Sequence, residues 1–208
     1  MERLIATFLV AFILMSACHK GTGNFVITGK VNDNTFQQGL VGATISCYKV
    51  PIGTADELFV ASQNIAADGS YSFSVPREKM ERYILKVSKA NYFPIVKDIY
   101  YSQLSITTTN IFDLSTHAMA WAKIHLYNQN PSPLDQFRYI KQEGLAACND
   151  CCPTTQQDFY GALDTTFYCI NNGNTVYSIY YWELGTNNNG LKSTSTTAFD
   201  TTLIEVIY

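Results

Sequence analysis

Charge is scarce in this sequence. Only 15% of the 208 residues are charged, and the formal net charge is -3. Without a basic surplus there is no electrostatic footprint for nucleic acid. Histidine is scarcer still, with His19, His117 and His125 as the full set. No Gly-x-Ser-x-Gly elbow is present, and no Ser or Cys sits in a nucleophile signature. His125 is therefore read as a surface histidine and not as half of a Ser-His or Cys-His pair. Beyond Met15 there is no long apolar run, so nothing later in the chain has the roughly 20 residues of a spanning helix. What is abundant is Tyr, Thr, Ser and Asn. Tyr and Thr favour strands, and Asn favours turns. The composition suits an exported β protein.

The amino end is a short charged start (Glu2, Arg3), an apolar run from Leu4 to Met15, and small residues leading into one cysteine. That layout reads as an export signal over 1–17, followed by a small polar tether over 18–23. An uncleaved anchor helix is the plainer alternative, but a run of about 12 residues is short for one. Met15-Ser16-Ala17-Cys18 resembles the lipobox of bacterial lipoproteins. The resemblance implies cleavage before Cys18, a diacylglycerol on its thiol and an N-acyl chain. Several acyl chains hold a protein stably where one does not, so the membrane, through lipid on Cys18, is the first expected partner. His19 follows the cysteine where an inner-membrane retention cue would be Asp, and no acidic surface-export tract is present. The expected location is the outer membrane, with its face left open.

From Asn24 to about Leu114 short alternating segments recur with turns every 8 to 12 residues, the pattern of a sandwich. Strands are expected at Phe25–Val31, Gly39–Tyr48, Leu58–Ile65, Tyr71–Val75, Arg82–Ser88, Ile95–Tyr100 and within Ser105–Leu114. Ala67-Asp68-Gly69-Ser70 is expected to be a hairpin turn, because Asp-Gly supplies positive φ. Asn32-Asp33-Asn34 is expected to be a plain turn and not a calcium loop, for want of further acidic ligands. Gly29-Lys30-Val31, Gly39-Leu40-Val41-Gly42-Ala43-Thr44-Ile45, Asp68-Gly69-Ser70-Tyr71-Ser72-Phe73 and Asn91-Tyr92-Phe93 together resemble the carboxypeptidase regulatory-like domain. That resemblance implies a transthyretin-like (prealbumin-type) sandwich serving as a non-catalytic accessory domain, common in exported proteins of Bacteroidetes-type bacteria. Asn91 stands where the family usually has Gly before the aromatic, and Asn tolerates the left-handed region.

Residues 118–208 read as a second, Ig-like sandwich. Its expected strands are Trp121–Tyr127, Phe137–Ile140, Thr165–Ile170, Thr175–Leu184, Ser193–Ala198 and Thr202–Tyr208. Asn171–Asn174 and Asn187–Gly190 are expected hairpin turns, and Gly144–Gln157 is a loop carrying most of the cysteines. The fold class is therefore all-β, with two tandem β-sandwiches after a signal peptide. Outside the cytoplasm disulfides are the default. Cys47 lies mid-strand and is expected to be a buried free thiol. Cys148, Cys151, Cys152 and Cys169 are the disulfide candidates, with three pairings open. A zinc site would want a second separated pair of ligands. A redox Cys-x-x-Cys would want a helix N-terminus. Neither signal is present, and no metal or cofactor is expected.

Tyr177, Tyr180, Tyr181 and Trp182 share one strand. One of its faces must be core; the other is either a platform for a glycan or protein, or a packed interdomain seam. The expected function is non-catalytic: a lipid-anchored binding or scaffolding module for a glycan or envelope protein. The alternatives are an exported esterase or thiol redox enzyme using the Cys148–Cys152 loop, and a structural subunit of a surface assembly joined through an exposed strand edge.

Overall fold

The computed structural model describes residues 23–208; residues 1–22, with the export signal and Cys18, lie outside the described residues. Nine strands come before His117: β1 (Asn24–Asp33), β2 (Gln38–Gly39), β3 (Thr44–Val50), β4 (Leu58–Asn64), β5 (Ser70–Pro76), β6 (Arg82–Ser88), β7 (Ile95–Tyr100), β8 (Asn110–Ile111) and β9 (Leu114–Thr116). Seven follow: β10 (Met119–Tyr127), β11 (Gln136–Glu143), β12 (Gln157–Tyr160), β13 (Asp164–Asn172), β14 (Val176–Glu183), β15 (Asn189–Ser195) and β16 (Thr201–Ile207). The chain is all-β and forms two tandem sandwiches.

In the first sandwich β1 is the spine of one sheet. It pairs antiparallel with β5 and β2 and parallel with β8 and β9. The facing sheet is fully antiparallel in the order β4-β3-β6-β7. Alternation explains the packing: in β5, Tyr71, Phe73 and Val75 are buried while Ser72 and Ser74 point out. They meet Phe25, Ile27, Ile45, Leu85 and Ile99 in one core. Cys47 is buried there as a free thiol, and burial pushes its pKa up to about 12.

The second sandwich stacks β13-β10-β16 on β12-β11-β14-β15. Its core holds Ile124, Leu126, Phe137, Tyr139, Tyr177, Ile179 and Val206. Both sandwiches pair their first strand with their last in parallel, β1 with β9 and β10 with β16. The two halves thus share a closing pattern that leaves no repeat in the residues.

Three turns differ from expectation. Asp68-Gly69 reverses the chain with Gly69 at φ 83°, but β4 and β5 belong to different sheets. Asn171–Asn174 likewise carries β13 to β14 in the facing sheet. Both are arches across the core and not hairpins. Gly39 also does not start one continuous strand. It pairs with β1, and the chain crosses sheets through Gly42 (φ 75°) before β3 begins. Turn chemistry dictates that a chain reverses; which sheet receives it depends on where the core lies. Asn187–Gly190, by contrast, does join paired neighbours, β14 and β15.

The sandwiches are joined by His117 and Ala118 alone. Almost every polar backbone group there is used. Asn34 N–H donates to Thr116 O at 2.8 Å, Phe93 N–H to His117 O at 3.2 Å and Met119 N–H to Asn91 O at 2.8 Å. Ala118 N–H donates to Thr35 Oγ1 at 2.9 Å. Phe199, from the β15–β16 turn, wedges into the junction. It stacks on Phe36 at 5.8 Å and meets Tyr92 edge-on at 5.3 Å. Its φ is 67°, costly for a bulky residue at about 1–3 kcal/mol. Two aromatic contacts contribute about 0.5–1.5 kcal/mol each, and Phe199 N–H donates to Met119 O at 2.7 Å. These contacts offset the strain and hold one relative orientation of the halves.

Candidate functional site

The cysteine loop folds onto the second sandwich. Cys148 pairs with Cys151, and Cys152 pairs with Cys169 on β13. Lys141 on β11 is buried and its ammonium donates to the carbonyls of Leu145 (2.7 Å), Cys151 (2.7 Å) and Cys152 (2.9 Å). Burial lowers its pKa, and the three carbonyls replace the water it has lost. Leu145 N–H donates to Asn171 Oδ1, and Ile170 N–H on β13 donates to Asp150 O at 2.8 Å. The loop is thus stapled over one end of the β13 edge. Its three cysteines and Cys169 are all spent in disulfides, so none of the four is a free thiolate for zinc or a nucleophile. Among the described residues no group of three His, Cys, Asp or Glu side chains is poised to hold a metal ion.

Strand β14 separates the four expected aromatics. Tyr177 is fully buried and cannot face a ligand: its position on the strand puts it in the core beside Ile179. Tyr181 packs on the same side, stacked on Phe137 at 5.9 Å. Only Tyr180 and Trp182 point outward, 6.0 Å apart. The junction is built from Phe36, Tyr92 and Phe199, so this face is not the interdomain seam. Register places Ile140, Tyr180 and Leu191 in one outward row and Arg138, Trp182 and Asn189 in the next. Arg138 sits 2.6 Å from Asp158. That contact is ionic and not a well-aligned hydrogen bond. Tyr180 OH donates to Asn189 Oδ1 at 3.0 Å.

The opposite sheet carries a second outward face. Tyr168 and Leu203 flank Lys123 across the strands, and Ile207 lies beside Tyr127. Tyr168 is 60% exposed and Leu203 51%. His125 stands in this face between two carboxylates. Its Nδ1 is 2.9 Å from Glu205 and its Nε2 is 3.0 Å from Asp164. The bond to Asp164, then that to Glu205, raises the imidazole pKa above its ordinary value. Among the described residues no Ser or Cys completes a nucleophilic pair with it. His117 lies in the junction, beside an open groove of about 410 Å³ that includes Phe93, Ile95 and Leu145.

Asp33, at the end of β1, is buried and fully committed. Its Oδ1 accepts from Thr35 N–H (2.9 Å) and Phe36 N–H (3.2 Å), and its Oδ2 accepts from Tyr92 OH at 2.7 Å. Asn32-Asp33-Asn34 is therefore a turn that braces the junction. Phe36, Tyr92, Phe199 and Lys89 line a second open groove there, of about 440 Å³.

Reading the sequence missed Phe199, Lys141 and the outward row on β13 and β16. The row had a signal, since Thr166 and Tyr168 alternate with Phe167 and Cys169. Phe199 had none, because Phe36 and Tyr92 are distant in the chain; Lys141 had none, because its partners are backbone carbonyls of the cysteine loop, which carry no residue signature. No protein-family model matches this chain, and no curated protein sequence matches it. Among solved structures it is similar to a streptococcal ancillary pilin (TM-score 0.38, 11% identity, 90% of this chain and 63% of that one). It is also similar to the Bacillus anthracis TIE protein (0.37, 11%, 89% and 34%) and to the minor pilin of Streptococcus agalactiae (0.34, 10%, 88% and 94%). The chain spans less than two thirds of the first two. At these scores and identities the likenesses carry no argument about what it does.

Proposed function

We propose that this chain is a non-catalytic structural or scaffolding subunit of a surface assembly, tethered to the outer membrane by lipid on Cys18. The observation that carries the reading is the second sandwich, which shows exposed aromatic and aliphatic side chains on both outer faces, Tyr180 and Leu191 on one and Tyr168 and Leu203 on the other. A module with contact surfaces on opposite sides suits a place between neighbours. The braced junction would hold those faces at a fixed angle to the anchored half. The residues that resemble the carboxypeptidase regulatory-like domain agree with an accessory role for the first sandwich. An enzymatic role finds no support in His125, which is spent on two carboxylates, or in the disulfide-bonded loop.

A glycan is the second reading, favoured by Tyr180 and Trp182 lying beside the Arg138–Asp158 pair. Aromatic rings stack on sugar faces while the charged pair orients hydroxyls. Cross-linking of intact cells, followed by detergent extraction, tests the choice. Scaffolding predicts recovery of the chain in protein complexes. Recovery only as a single chain bound to polysaccharide would overturn it in favour of the glycan.

A further inference from the structure

A sheet edge offers unpaired N–H and C=O groups to any passing strand, and proteins blunt such edges. Most edges here are blunted. β4 carries a bulge where Cys47 and Tyr48 oppose Ala61 and Phe59. On β5 the Gln63 side-chain amide, suitably oriented, bonds both Ser72 N–H and Ser72 O. β7 sets Lys97 and Asp98 in its middle, and β2 and β12 are short. β15 and β16 lie beside each other and close that flank.

β13 is different. In an antiparallel ladder alternate residues turn both backbone groups to the same side. Ile170 N–H meets Asp150 O and so points away from β10. By alternation Asp164, Thr166 and Tyr168 point the same way, and among the described residues nothing bonds their backbone groups. Asp164-Thr165-Thr166-Phe167-Tyr168 is rich in strand-forming residues and has no Pro or Gly. It is a bare edge without a bulge, limited at one end by the disulfide-stapled loop.

We infer that β13 pairs antiparallel with β13 of a second copy of this chain, forming a continuous six-stranded sheet across a two-fold axis. This gives the scaffolding reading its first partner and rests on it. A two-fold centred on Thr166 sets Thr166 against itself and Asp164 against Tyr168 of the second copy. No like charges then face each other, and Thr–Thr pairs suit this position. The arrangement also joins the two Tyr168–Leu203 faces into one broader surface. Self-pairing at one edge is isologous and closed, so the product is a dimer, and the β11–β14–β15 faces stay outward.

The test uses the full chain, exported in cells. Thr166→Cys, treated with a short bismaleimide, should give a band at twice the chain's mass, absent from wild type and from a Ser193→Cys control. Thr166→Pro removes an N–H that points away from β10, so the fold keeps its ladder. Native mass spectrometry of the detergent-extracted chain should show wild type as a dimer and Thr166→Pro as a single chain. No doubled band, or a dimer that survives Thr166→Pro, would overturn the inference. A Thr166→Cys link only to a protein of another size would overturn the second copy while leaving scaffolding intact. Absence of any protein link in intact cells, with or without the added cysteine, would remove both.

Discussion

Removing the Cys152–Cys169 bridge should destabilise the second sandwich selectively, by an amount the loop length sets. The bond closes 17 residues, counted by sequence separation. Loop closure entropy for that length is worth about 3 kcal/mol at room temperature. Cys169 is also fully buried, and losing its sulfur in an alanine variant adds about 1 kcal/mol of lost packing. The expected cost of Cys152→Ala/Cys169→Ala is therefore about 4 kcal/mol, out of a total stability of about 5–15 kcal/mol for a domain. Cys148–Cys151 spans a separation of 3, and the same relation gives it only about 1.6 kcal/mol. The assay is equilibrium urea unfolding followed by tryptophan fluorescence. Trp121 and Trp182, both tryptophans of the chain, lie in β10 and β14, so the signal reports the second sandwich alone. With a slope of about 1.5 kcal/mol/M the first variant should lose ~2–3 M in midpoint and the second ~1 M. Lys141→Met sharpens the test. It strands three carbonyls and costs about 2–4 kcal/mol alone. In the Cys152→Ala/Cys169→Ala background the loop is already loose, so its added cost should shrink. Equal losses from both disulfide variants, or a strictly additive Lys141→Met, would refute the picture of a loop stapled at Cys169 and gripped by Lys141.

Other expectations follow from buried or paired groups. Tyr177 OH is buried without a partner, so Tyr177→Phe should be neutral or stabilising by up to about 1 kcal/mol, read from the same urea curve. Asp33→Ala removes the acceptor for three hydrogen bonds and should cost about 2–4 kcal/mol in the first sandwich; a loss under about 0.5 kcal/mol would contradict its bracing role. The imidazole of His125 is raised in the folded state by Asp164 and Glu205. Its stabilisation is therefore fully present below the unfolded value of about 6.5 and fades as pH rises through the higher folded value. His125→Gln should flatten that slope in stability measured from pH 5 to 9, and a wild-type curve without the slope would sink the assignment. Cys47, with its thiol pushed up to about 12, should resist alkylation at pH 8 in the folded chain and react once urea unfolds the first sandwich.

Much of the fold was legible because alternation survives folding unchanged. Tyr71, Phe73 and Val75, or Ile124 and Leu126, are buried where a period of two places them. The disulfide-bonded state of the loop was legible too, since three cysteines in one loop and a fourth on the following strand are the pattern of a loop held by disulfides. The topology was not. Asp68-Gly69 looks identical whether it joins neighbours in one sheet or spans two, because φ is local and sheet membership is not. For Tyr177 to Trp182 the division into two faces was readable, and which face is core was not, since both carry aromatics. The partners of His125 depend on which strands flank β10, and those of the strained Phe199 on residues of the first sandwich that approach only when the two halves meet.

The parallel pairing of first and last strands has a mechanical meaning. In each half, the chain enters at one end of β1 or β10 and leaves at the opposite end of β9 or β16. Tension drawn between the amino end and the far tip would load those ladders along their length. Rungs in that geometry share the pull and fail together, whereas antiparallel neighbours pulled from one end would unzip singly. Val31–Asp33 contributes a short ladder and Trp121–Tyr127 a longer one, so under stretching the first sandwich should yield before the second.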